Sequence, residues 1–352
     1  MVTAEHINTE QQCIESAKRG AAWLSAQQGP NGAWKTVPDA PVDAYYKVGA
    51  ALSLMGEATA AERLFDYVKG HLLQADGDFL PRGNPWHTDV HYQYANGWFV
   101  IGAQKQGRYD IAMPALRFLL SQQDPDHGGF YSLKAPAGEK TRSDTMSTGI
   151  SGVACLATGQ MVSAKRVADH FERMIELQPA PEDRFYMTVE ADGHLGTAFP
   201  EDETFWRVIN TKQKDQCMYA VGLPFTFLIL LHQATGEEHY AELAQWYLDF
   251  QLRCVNPWDK TGMGKGAWGC SILYRLTGEQ RYRDIALHVA RIFLGRKSPA
   301  GWFVRGGQPA YGQTGPDDQQ RAFIAGDFDG NAEMTVWLGL IGSNLLARDI
   351  TG

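Results

Sequence analysis

Asp327 and Asp329 stand two residues apart, just ahead of Gly330 and Asn331, where an apolar segment begins. Carboxylates held that close can share a proton, one staying protonated at neutral pH while the other orients it. Asp329 is therefore a candidate general acid and Asp327 its support; helix capping and Asp-Gly turn chemistry are the competing explanations. Asp144, in Arg142-Ser-Asp144-Thr-Met146, is a second candidate acid. His91, in Asp89-Val-His91-Tyr92-Gln-Tyr94-Ala-Asn96-Gly-Trp98, is the candidate for proton exchange near neutral pH. Similar residues recur in Asp43-Ala-Tyr45-Tyr46-Lys47, Lys214-Asp215-Gln-Cys217-Met218 and Lys265-Gly-Ala-Trp268. If these stretches converge, their carboxylates crowd one pocket mouth, and crowding with partial burial raises carboxyl pKa values. Asp43, Tyr45, Tyr46, Asp89, Tyr92, Trp98, Met146, Asp215, Cys217 and Trp268 are then expected to hold a small-molecule substrate. The aromatic faces among them would also steady positive charge.

Convergence requires a particular set of elements, and helical periodicity supplies it. Charged, amphipathic segments cover 11–28, 58–74, 108–123, 162–177, 237–253 and 279–295. Between them lie charge-poor segments rich in Gly, Ala and Ser, at about 43–56, 90–104, 144–158, 216–234, 264–277 and 331–347. The first kind has one wet and one buried face, and the second must be buried all round. Six of each, alternating, predict an all-α fold, an (α/α)6 toroid of six outer and six inner helices, as one domain over 1–352. Short Gly links such as Met55-Gly56 and Thr277-Gly278 join inner to outer helices, as C-terminal caps do. The return connections, 75–89, 124–143, 178–214 and 296–330, are long and carry most of the Pro, Trp and His. Functional residues collect on such loops. Every inner helix then starts at the long-loop rim, where the candidates above lie.

Composition narrows the function. A net charge of −8 argues against nucleic acid, which needs a basic face. No apolar run reaches the roughly 20 residues that span a bilayer, and the N-terminus lacks a basic segment followed by an apolar one, so a cytoplasmic location is expected. The five scattered cysteines fit free thiols in a reducing compartment. With no Gly-rich phosphate loop, no Cys-x-x-Cys and no His-Glu-x-x-His, neither a cofactor nor a metal is expected. Oligomeric state is left open.

Two stretches repeat. Arg19-Gly-Ala-Ala-Trp23, Gln28 and Gly32-Ala-Trp34 are echoed by Arg117-Phe118, Gln123 and Gly129-Phe130. This repeat resembles the Gln/Trp repeat of terpenoid cyclases such as squalene–hopene cyclase. The resemblance implies a toroid and an inner-helix Asp that protonates an alkene or epoxide. Asp327-Phe328-Asp329-Gly330 matches three positions of that family's Asp-x-Asp-Asp motif, with Gly330 in place of the last Asp. It implies Asp329 as the acid of a cyclase-like isomerase or lyase acting on a small isoprenoid. Asp215-x-Cys217 is similar to two of the three zinc ligands of protein prenyltransferases, but the third, a histidine, is absent. A different resemblance, to unsaturated uronyl hydrolases, rests on Gly266-Ala-Trp268-Gly, Leu273-Tyr-Arg-Leu-Thr-Gly278 and Arg142-Ser-Asp144. It implies a carbohydrate-active hydrolase or lyase with Asp144 as proton donor. Asp89 or Asp43 would assist it, and Lys265 or Arg142 would hold a carboxylate.

Overall fold

A computed structural model describes residues 8–304 and 323–351. The chain runs α1 (Thr9–Gln27), α2 (Val48–Met55), α3 (Ala58–His71), α4 (Tyr92–Gln106), α5 (Tyr109–Ser121) and α6 (Thr145–Ala157). It continues through α7 (Met161–Glu176), the one-turn α8 (Thr204–Arg207), α9 (Tyr219–Thr235) and α10 (Glu238–Arg253). The last elements are α11 (Gly264–Thr277), α12 (Gln280–Leu294) and α13 (Ala325–Thr351). The charge-poor helices α2, α4, α6, α9, α11 and α13 pack each on the next, and α13 returns to α2. That closure makes the inner ring of an (α/α)6 toroid, with α1, α3, α5, α7, α10 and α12 outside it.

Small residues permit the tight inner ring. A side chain at Gly222 would lie 2.9 Å from the backbone nitrogen of Gly266, so α9 and α11 meet almost backbone to backbone. The outer ring is fastened by the repeated turn. Gln28 pairs with Trp34 and Gln123 with Phe130 in isolated bridges, as the echo implies. Gln28 Nε2 donates to Ala60 O of α3, and Gln123 Nε2 donates to Ser163 O of α7, each reaching the next outer helix. Gly32 and Gly128 have φ of +87° and +76°, and a Cβ there would strike the carbonyls of Arg63 and Arg166. The same bridge recurs at Leu73–Phe79, Val189–Leu195 and Lys297–Phe303, so among the described residues the turn is used at five places rather than the two legible in sequence.

Four strands of two or three residues were not expected. β1 (Ser143–Asp144) pairs antiparallel with β3 (Thr188–Val189), and β2 (Arg184–Tyr186) with β4 (Val208–Asn210). They brace the long connection between α7 and α9 and fix the backbone of Asp144. Three inner-helix starts also move. Residues 42–44 form a 3-10 turn before α2, α9 opens only at Tyr219, and α13 opens at Ala325. Among the described residues no helix is long and apolar enough to cross a membrane.

Candidate active site

The inner helices begin around a cavity of about 780 Å³. Of the residues expected there, Tyr46, Asp89, His91, Asp144 and Asp329 line it. They are joined by residues the sequence reading had not placed: Lys47, Trp86, His87, Tyr94, Tyr219 and Glu333.

Its organising feature is a pair of histidines held alike. His87 lies within a single π-helical turn, Trp86–Val90, and His91 caps its end, ahead of α4. His91 Nδ1 lies 2.7 Å from Asp144 Oδ1, and both side chains are buried. His87 Nδ1 bonds Asp43 Oδ1, again with both buried. A ring nitrogen facing a carboxylate carries the proton, which leaves the other nitrogen as the acceptor. His87 Nε2 and His91 Nε2 have no hydrogen-bond partner among the described residues, although both atoms are buried. Two imidazole bases, each fixed in tautomer from behind, therefore border one cavity. His87-x-x-x-His91 is the signal that could have revealed the second: four residues apart, they come round to one side of a helical turn.

The two carboxylates behind the histidines are held in the ionised form. Burial opposes the charge of Asp144, but His91 and the Ser147 bonds outweigh it and hold its carboxyl below the ordinary value. Asp144 also caps α6, accepting from Met146 N at 2.7 Å and Ser147 N at 2.9 Å. Asp43 is likewise lowered, with burial overcome by His87 and the Gly83 N–H. His87 is pulled below its ordinary value chiefly by burial, against the opposing pull of Asp43. The expectation that crowding raises carboxyl values is thus corrected for Asp43 and Asp144, each of which has acquired hydrogen-bond donors.

Asp329 is also paired. It does face the cavity, but its Oδ1 lies 3.0 Å from Lys47 Nζ. Lys47 also meets Glu333 Oε2 at 2.9 Å, and Lys265 meets Glu333 Oε1 at 3.0 Å. This alternating chain ties α2, α13 and α11 together. Burial opposes the charges, yet Lys265 and Lys47 keep the Glu333 carboxyl far below its ordinary range, and Asp329 and Glu333 hold Lys47 protonated. A carboxylate paired with an ammonium is a poor proton donor. Asp327 does not line the cavity; it is buried at the start of α13 and accepts from Ile324 N at 3.0 Å, a capping role.

Other expected residues fall elsewhere. Tyr45 stacks between Trp34 and Tyr67, and Tyr92 O–H donates to Asp78 Oδ2 at 2.6 Å. Met146 is buried behind the cavity wall. Asp215 is exposed and paired with Lys260. Cys217 is buried, and burial pushes its thiol up to about 12. Both precede α9, because that helix starts later than the apolar pattern suggested. Trp98 and Trp268 line a second cavity. Among the described residues no group of three or more His, Cys, Asp and Glu is placed to hold a metal ion. Arg142 lines the polar cavity; it donates to Asp89 O at 3.1 Å, and burial together with nearby Arg207 lowers its guanidinium.

No family model matches the chain, and no curated protein matches it significantly. Solved structures do. A D-mannose isomerase is 11% identical, with a TM-score of 0.69, covering 94% of this chain and 97% of its own. A GH76 α-mannanase of Bacteroides thetaiotaomicron is 14% identical, with a TM-score of 0.63 and 97% coverage of both chains. The GH76A α-1,6-mannanase of Salegentibacter sp. HEL1_6 is 12% identical, with a TM-score of 0.61, covering 93% of this chain and 99% of its own. An inactive variant of that mannanase, with two consecutive aspartates replaced, is known in complex with α-1,6-mannotriose. At these identities the likeness establishes the fold, an all-α toroid, and nothing finer.

Proposed function

We propose that this chain is an acid–base enzyme acting on a small reducing sugar, interconverting aldose and ketose. The observation that carries the reading is the pair His87 and His91, each backed by a buried carboxylate and each bringing an unpartnered Nε2 to one cavity. Aldose–ketose interconversion needs two proton-transfer groups. One takes the proton from the carbon beside the carbonyl while the other protonates the carbonyl oxygen, giving an enediol. Returning a proton to the neighbouring carbon, as the second oxygen releases its own, completes the exchange without an external oxidant. Burial disfavours the charged form of His87, which suits it to accept the first proton. His91 can donate from Nε2 once it has taken up a second proton, and ionised Asp144 at Nδ1 balances the charge of that imidazolium until the proton leaves.

The polar lining suits a polyol. Tyr94 O–H, Trp86 Nε1 and Asp144 Oδ2 are also buried without partners among the described residues, and sugar hydroxyls would satisfy them. A volume of about 780 Å³ falls within the small-ligand range. The similarity in fold to a D-mannose isomerase supports the same reading. An isoprenoid cyclase fits poorly, because polyene chemistry calls for a largely apolar wall, and this one carries Lys47, Lys265, Asp329 and Glu333. A glycoside hydrolase, the reading that the GH76 neighbours favour, needs a protonated carboxyl beside the scissile bond. Asp144, Asp329 and Glu333 are each engaged by a cationic or donor partner instead. We also read 1–352 as one domain, since ring closure uses α13 together with α2.

The test is to incubate the protein with a panel of aldoses and ketoses in D₂O and follow the products by NMR. Interconversion with deuterium at the carbon beside the carbonyl, abolished by H87Q and by H91Q, is expected. Cleavage of α-mannooligosaccharides without deuterium exchange would overturn the isomerase reading in favour of a hydrolase.

A further inference from the structure

The tryptophans expected at the polar mouth mark a different site. Trp98 and Trp268 line a cavity of about 350 Å³ among the later turns of the inner helices. Half-exposed Leu54, Leu156, Leu230 and Leu340, from four of those helices, form its rim. Every lining residue but one is apolar, and the exception is Lys105, in the last turn of α4. Lys105 is exposed and has no ion-pair partner among the described residues, and Trp98 Nε1 is buried without an acceptor there. An apolar concavity of this volume with one or two polar groups is the usual form of a small-ligand pocket.

We infer that this cavity binds an aliphatic carboxylate, with its chain among the leucines and indoles and its charged end on Lys105. The sign of the head group follows from the charges present. Helix C-termini carry partial negative charge, which alone would favour a cation. Here the backbone N–H groups of Gly56, Gly107, Gly236 and Gly278 cap the terminal carbonyls of α2, α4, α9 and α11. That leaves the full charge of Lys105 as the dominant one among the lining residues. Trp98 and Trp268 each lie within about 6 Å, centroid to centroid, of Trp337, whose Nε1 donates to Glu333 in the polar cavity. The two cavities are therefore separated by an aromatic layer, and the inference does not depend on the sugar reading.

Octanoate titrated into the whole protein, followed by calorimetry and tryptophan fluorescence, tests the inference. Saturable binding at one site with a change in indole emission is expected. V153W, which fills the wall, and L54E, which charges the half-exposed rim, should each abolish it. K105E should weaken it about two- to fivefold, the span of an exposed charge pair. Octanol should bind more weakly than octanoate. Absence of saturable binding, binding unchanged in folded V153W and L54E, or equal binding of octanol would overturn the inference. So would self-association of the chain that V153W or L54E disrupts, which would assign this face to a second copy.

Discussion

Where the inner helices begin, the ring is lined by two histidines, two lysines and several carboxylates; deeper along the same helices it is lined by leucine, alanine, valine and tryptophan. The contrast follows from connection length. At the ends of α2, α4, α9 and α11 the link to the next outer helix turns on one glycine in the left-handed conformation, leaving no room for functional groups. The returning connections are long, and they deliver Asp43, His87 and Asp144 to the opposite mouth. Helix N-termini there also favour negative charge, so carboxylates gather where the N–H groups are free. An electrostatic site and an apolar site thus arise from one set of helices.

The largest effect expected at the polar end comes from the histidines. H87Q and H91Q should each lower kcat by roughly 10²–10⁴, the span of general acid–base contributions. Steady-state isomerisation checks this, and circular dichroism confirms the fold. Octanoate binding at the other cavity should not change in either variant. A parallel loss at both ends would mean that the two regions are not chemically separate.

The dyads themselves differ, and their carboxylates sharpen the comparison. D43N and D144N should each reduce turnover about 100-fold or more by releasing the imidazole tautomer. Each carboxylate also accepts two backbone N–H bonds, Asp144 from Met146 and Ser147 at the start of α6 and Asp43 from Gly83 and Asn84. Asparagine keeps an oxygen for them, so the melting temperature should fall clearly in D144A and D43A but not in the Asn variants. A lost cap costs about 1 kcal/mol. Unchanged melting of D144A would remove the capping role given to Asp144. The lysine chain on the cavity floor predicts a change in stability instead. K47M leaves Asp329 and Glu333 without one of their cations and should destabilise the fold by about 3 kcal/mol in chemical denaturation, as breaking a buried pair does.

Several of these features were readable from the sequence and several were not, for physical reasons. The two classes of helix were legible because burial on one face or on all faces leaves opposite charge patterns. Asp144, His91 and Asp329 were legible as residues of the right type at helix starts. Their partners were not, because these are distant in sequence: His91 meets Asp144 across 53 residues, and Lys47 meets Glu333 across 286. His87 was missed because its loop shows no periodicity. Trp98 and Trp268 were assigned to the wrong end: each is several residues into its helix, and one turn of rise carries a side chain about 5 Å along the axis.

The pH dependence separates the two histidines further. The value of His87 is held below the ordinary 6.5 by burial, so it stays neutral and able to accept a proton into mildly acidic solution. The acid limb of kcat/KM that reports His87 should therefore fall below pH 6.5. In D43N it should move lower still, because Asp43 raises His87 more than Asp329 does. Stability has the corresponding sign. An unfolded histidine titrates near 6.5, so what the neutral buried His87 contributes is present above that pH and lost as pH falls below it. Asp43 and Asp144, lowered from 3.8, lose their contributions only in stronger acid, as pH falls through their folded values. Stability is expected to fall over two pH ranges, and the milder loss should be reduced in H87Q but not removed, because burial also pushes His170 down to about 4.

The smallest effect is expected at Asp215 and Cys217, which the sequence placed among the substrate-binding residues. Were either to touch substrate, D215A or C217S would raise KM. Asp215 is exposed and meets Lys260, and neither residue lines the polar cavity. D215A should leave KM, kcat and melting temperature unchanged, since exposed ion pairs contribute little. C217S should leave KM unchanged and lower stability alone, because a hydroxyl replaces a buried thiol that behaves as a small apolar group. A rise in KM for D215A would require the connection ahead of α9 to close over the mouth when substrate is bound. The polar site would then extend beyond the inner-helix starts, and the division between a charged end and an apolar end would no longer follow connection length alone.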